Sequence, residues 1–96
     1  MITAAQAKEK TKERLRVMAD EFIINYTSIP IQKAIDNGRF FTKVSFDGKC
    51  CPDADAKALG EEVVKLLEEH GFEAEHFFIN DQRDSANYII IKWENV

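Results

Sequence analysis

Two cysteines, two prolines and four glycines are all that 96 residues hold of these types, and no apolar run exceeds the four residues "YIII" at Tyr88–Ile91. Each scarcity excludes something. The cysteines are neighbours, Cys50 and Cys51. A bridge between neighbours is strained and closes almost no loop, so a disulfide-built secreted scaffold is ruled out. A run of four falls far short of the ~20 apolar residues that span a bilayer, and "MITAAQAKEK" has no apolar signal-peptide core. The expectation is a cytoplasmic chain with no membrane partner. There, the sequon at Asn25–Thr27 carries no meaning. Sparse glycine leaves no phosphate-cradling loop and no nucleophile elbow.

What is present is the composition of one ordinary globular domain, 45% hydrophobic and 31% charged. A chain of this length buries one modest core. Its net charge of −4 is unevenly spread. Residues 1–16 carry five bases (Lys8, Lys10, Lys12, Arg14, Arg16) against Glu9 and Glu13, and the rest of the chain is strongly acidic. A basic arm on an acidic body suits nucleic acid. It suits equally well an ion-paired arm, on its own body or a neighbour's.

From Thr3 to about Tyr26 the residues are good helix formers without Gly or Pro. Leu15, Met18 and Phe22 form a stripe that Ile29 extends, with Tyr26 beside it. The first dozen residues offer only alanines and Ile2 to bury, so that half of the helix is expected to project. Pro30 disfavours helical geometry at Ile29. Ser28 then caps a short second helix that stops at Asn37-Gly38, or one kinked helix runs from 3 to 37. Residues 1–27 are thus read as a partly projecting helix and 28–96 as a compact domain.

"RFFTKVSF" alternates as a strand, with Phe40, Thr42, Val44 and Phe46 on one face and Phe41, Lys43 and Ser45 on the other. Asp47-Gly48 turns the chain. Pro52, Asp53 and Asp55 suit the start of a helix. Its apolar face is Ala56, Leu59, Val63, Leu66 and His70, with Leu67, and Gly71 ends it, setting Phe72 against Leu67. "FEAEHFFIN" is a second strand, "NDQRDSAN" a polar loop and "YIIIKW" a third strand. The fold class is α+β, in the order α(α)βαββ: a long N-terminal helix and a three-stranded mixed sheet with one packed helix. One helix covers one face of a sheet. The other face keeps some of Phe41, Phe77, Ile79, Tyr88 and Ile90, more apolar surface than a monomer usually leaves bare.

Candidate chemistry is thin. Cys50, Cys51, His70 and His76 have the count of a zinc site but not its spacing, since ligand cysteines are usually two to four residues apart. His70 also lies roughly 25 Å from the cysteines along the helix. A thiol at a helix start can be activated, but Asp53 and Asp55 oppose this at Cys50 and Cys51, which read as small residues at a turn. "DADAK" begins like a calcium loop and then places Lys57 at the fifth position with no glycine after it. Glu61/Glu62 and Glu68/Glu69 lie on the solvated side of a helix, not in a pocket that would shift a pKa. The expectation is no cofactor, no metal and no catalytic residue.

The helix leading into "IPIQKAIDNGRF", the helix ending "LLEEHGFEAE" and the closing "IIIKW" together resemble small proteins of tailed phages and prophages of Gram-positive bacteria. Ile31, Ala34, Ile35, Gly38, Leu67, Gly71, Phe72, Ile89, Ile91 and Trp93 match that pattern. Pro30 and the Cys50-Cys51 pair depart from it. The resemblance implies a setting, cytoplasmic or virion-associated with a phage or host protein as partner, and implies no activity. The sequence therefore reads as a non-enzymatic interaction protein, a homo-oligomer with a dimer favoured. Leu15, Met18, Phe22, Tyr26 and Ile29 contact a second copy or the sheet. The alternative is a nucleic-acid-binding protein using Lys8, Lys10, Lys12, Arg14 and Arg16.

Overall fold

A proline near the start of a helix removes a hydrogen bond from the turn before it, and Pro30 does so here. In the computed structural model, which describes residues 1–46, 55–80 and 85–95, the long helix α1 (Ala4–Tyr26) ends at Thr27 and α2 (Ser28–Asp36) follows at once. Thr27 keeps near-helical angles (φ −105, ψ −27), so the two form one bent helix, intermediate between the two expected forms. Thr27, not Ser28, sits at the α2 cap position; its buried hydroxyl donates to the Ile23 carbonyl at 2.6 Å. Such back-bonding spares a buried hydroxyl and tends to bend helices. At the far end Thr3 and Gln6 form a reciprocal capping box. Every residue from 1 to 14 is exposed.

Both other helix ends use glycine as the sequence suggests. Gly38 (φ 70) and Gly71 (φ 90) take the left-handed conformation. The N–H of Phe72 donates to the Leu67 carbonyl at 3.0 Å and that of Arg39 to the Ala34 carbonyl at 2.8 Å, the six-to-one bonds of Schellman stops. Helix α3 (Ala56–Glu69) starts later than read from Pro52, with Asp55 as its cap, accepting from the Ala58 N–H at 3.0 Å. Its buried residues are Leu59, Gly60, Val63, Leu66 and Leu67. His70 departs from the expected apolar face: it is the exposed C-cap. The Asp47-Gly48 turn, Cys50, Cys51, Pro52 and Asp53 lie outside the described residues.

Strands β1 (Phe41–Ser45), β2 (Glu73–Asn80) and β3 (Ser85–Lys92) form one sheet in the order β1-β3-β2. The sheet is not mixed: both neighbouring pairs are antiparallel. β1 and β2 run the same way, as a strand–helix–strand unit leads one to expect, but β3 inserts between them. The reason is burial, since β3 carries apolar side chains on both faces and a central strand shelters both. β3 also begins at Ser85, so Ser85–Asn87 are strand and not loop; pairing to Asn80, Ile79 and Phe78 in the hairpin overrides their polar composition.

The core lies on one face of this sheet. Ile89 and Ile91 of β3 and Val44 of β1 are buried there, with Phe46 just beyond β1, under Leu59, Val63, Leu66 and Leu67 of α3. Helix α1 lies against α3 on that same side. Phe22, at 0% exposure, stacks on Phe46 with 4.2 Å between ring centroids and meets Tyr26 at 5.3 Å. The core therefore includes Ala19 and Phe22 of the N-terminal helix along with residues after 28.

Candidate functional site

Alternation places Phe41, Lys43 and Ser45 of β1, Ala86, Tyr88, Ile90 and Lys92 of β3, and Glu73, Glu75, Phe77 and Ile79 of β2 on the outer face, opposite the core. Phe41 is 53% and Ile79 50% exposed, and Phe77, Tyr88 and Ile90 are half-buried. Phe77 and Tyr88 are paired in register and stack at 5.1 Å. The Lys43 ammonium reaches across the face to 4.2 Å from the Tyr88 ring centroid, a cation–π contact. The residues form rows across the strands: Phe41–Lys92–Glu73, Lys43–Ile90–Glu75 and Ser45–Tyr88–Phe77. The face is thus apolar along its middle and at its Phe77–Ile79 end, basic beside β1 and acidic beside β2.

Two recesses flank it. Between β2 and β3 a shallow recess of about 260 Å³ is bounded by Glu73, Glu75, Ile90 and Lys92. Along β1 a groove of about 450 Å³ runs between α2 and the strand, lined by Ile29, Phe41 and three bases, Lys33, Arg39 and Lys43. The apolar surface continues into this groove through Ile29, which is 70% exposed.

The stripe expected to mediate contact is mostly turned inward. Phe22 is in the core, and Leu15, Met18 and Tyr26 pack against it. Only Ile29 stands open. Of the five bases, Arg16 bonds to two carboxylates of α3, Glu62 at 3.1 Å and Glu69. The hydrogen bond to Glu62 is the main cause that raises the Arg16 pKa above its ordinary value, opposed by partial desolvation and reinforced by Glu69. At 43% side-chain exposure the cluster stays screened by solvent. Lys8, Lys10, Lys12 and Arg14 are exposed, and among the described residues none forms an ion pair.

His76 and His70 lie on different elements, and among the described residues no three His, Cys, Asp or Glu side chains gather as metal ligands. Cys50 and Cys51 fall outside the described residues. His76 faces inward, in register with the buried Ile89. Its Nε2 lies 2.6 Å from Asn87 Oδ1, as when the ring donates, and Phe46 meets it edge-on at 5.5 Å. The ring lies over Gly60 of α3, where a methyl group would approach it to 2.2 Å. Parity with Ala74 and a glycine in mid-helix were the signals available. Among the described residues no helix is long and apolar enough to cross a membrane. Comparison with protein-family models, curated proteins and solved structures finds no match.

Proposed function

We propose that the protein is a non-enzymatic interaction protein whose contact surface is the outer face of the sheet. One observation supports this above all. Helices α1 and α3 share one side of the sheet and α2 lies along the β1 edge beside Phe41, so among the described residues no helix lies over Phe77, Ile79, Tyr88 and Ile90. Connected apolar surface rimmed by charge is characteristic of protein contact sites. The phage-like layout adds a setting to this reading, not a partner.

The test compares two neighbours on β3. Ile90→Lys in dilute protein is expected to cost about 1 kcal/mol, because its side chain is only half-buried. Ile89→Lys, which buries an unpaired charge, is expected to abolish folding. Urea denaturation measures both. An Ile90→Lys loss as large as that of Ile89→Lys means the chain covers its own face, and the reading falls.

The exposed start of α1 favours one other reading, binding to nucleic acid through Lys8, Lys10, Lys12 and Arg14. Arg16 is already engaged by α3, and the acidic body repels phosphate. Salt-dependent retention on DNA, lost on neutralising these four residues, is the observation that would favour it.

A further inference from the structure

The geometry points to a second copy of this chain as the occupant of the outer face, docked about a two-fold axis that runs close to the strand direction. This rests on the contact-surface reading above and adds the partner and its orientation. Lys43 and Glu75 both pair with Ile90, so basic, apolar and acidic side chains lie in one row from the β1 side to the β2 side. An axis parallel to β3 and above it exchanges the two sides and keeps each row at its own height. It sets Lys43 of each copy over Glu75 of the other, with Ile90 on Ile90 between them. In the next row Tyr88 meets Tyr88, and Phe77 covers Ser45. A two-fold interface requires a patch that complements itself in this way.

The flanks extend the match. The recess bounded by Glu73, Glu75, Ile90 and Lys92 receives Lys43 of the second copy, two carboxylates against the one opposing ammonium of Lys92, and the basic groove beside β1 faces the acidic β2 side. An axis lying across the strands instead puts β1 on β1 and β2 on β2, where Lys43 meets no acid and Glu73 and Glu75 meet no base. Charge therefore selects the first orientation. Three features oppose it: Lys92 meets the Lys92 of the second copy near the axis, Phe41 comes to lie over Glu73, and Lys43 must leave the Tyr88 ring of its own chain to reach Glu75. Aligned sheets cross at about 30°, which parts the end rows such as that of Lys92 and keeps the Ile90 row closest. At roughly 4.8 Å between strands the face offers about 300 Å² per copy. That is below the ~800 Å² per partner of a stable complex, so the dimer is weak and concentration-dependent.

Sedimentation equilibrium of the full chain up to about 1 mM, the weak end of specific association, tests this with three variants. Unfolding midpoints confirm that each is folded. The wild type is expected to dimerise, and Ile90→Lys to remain monomeric. Lys43→Glu and Glu75→Lys are each expected to weaken self-association about tenfold or more, because like charges then face each other. An equimolar mixture of the two is expected to recover it, because every facing pair is again of opposite sign. A wild type that stays monomeric overturns the inference and leaves the contact-surface reading to the stability test above. A dimer indifferent to Ile90→Lys overturns both. A dimer lost with Ile90→Lys but not recovered by the mixture keeps the surface and overturns the two-fold arrangement.

Discussion

Phe22→Ala is expected to destabilise the protein by about 3–5 kcal/mol, the cost of emptying a buried aromatic site. Phe22 is fully buried, stacked on Phe46 and tilted against Tyr26. Removing it opens a cavity between α1 and the sheet edge that neither α3 nor β1 can close without moving. A domain this small has about 5–10 kcal/mol in total, so the variant loses a large share of its stability. Urea titrations of wild type and variant measure the change through the midpoint at unchanged slope. The loss is expected at every protein concentration, because the site is filled within one chain. A loss under about 1 kcal/mol, or one that appears only in concentrated protein, would mean that α1 is not docked on its own core.

The second large effect concerns a substitution that helix propensity alone favours. Gly60→Ala gains about 1 kcal/mol in a helix interior. Here its methyl group would lie 2.2 Å from Cε1 of His76 and 2.4 Å from both ring nitrogens, so it collides with the flat of the imidazole. The ring has little room to retreat: Asn87 holds Nε2, Phe46 blocks one side, and Phe78 lies at 6.2 Å. Overpacking costs about 1–3 kcal/mol, and an Asn87 amide left without its partner adds a similar amount. After the propensity gain of about 1 kcal/mol the net expectation is a loss of about 3 kcal/mol. In a His76→Ala background the same substitution is expected to become stabilising, since the collision is gone and the propensity gain remains. Thermal or urea unfolding of the four proteins completes the cycle. Stabilisation of the wild type by Gly60→Ala would show that His76 does not occupy the space over Gly60.

These two sites also mark what the sequence could and could not convey. Features set by a few neighbouring residues were legible: the stop at Gly71, where the Phe72 N–H reaches the Leu67 carbonyl, the apolar face of α3 apart from His70, the parity of β1 and β3, and the hairpin. Features set by distant residues were not. The apolar run of β3 suits a central strand, but it does not by itself say between which strands, and insertion between β1 and β2 makes the sheet wholly antiparallel. Ser85–Asn87 read as loop because their composition is polar, yet β2 extends far enough to pair with them. The stripe through Phe22 was visible, but its destination was not, because both a sheet and a second chain accept an apolar helix. The expectation that one sheet face keeps apolar side chains needed only the strand parities. The row Lys43–Ile90–Glu75 needed the strand order as well, so its charge pattern appears only once the strands are aligned.

The most direct measurement is the relaxation of the isoleucine methyl groups by a soluble paramagnetic probe, followed across protein concentration. In dilute protein the Ile90 methyls are expected to relax strongly and those of Ile89 weakly. On concentration, Ile90 becomes protected while Ile89 stays as it was. Ile90 methyls shielded as well as those of Ile89 at every dilution would contradict the account, since the chain would then be covering its own outer face.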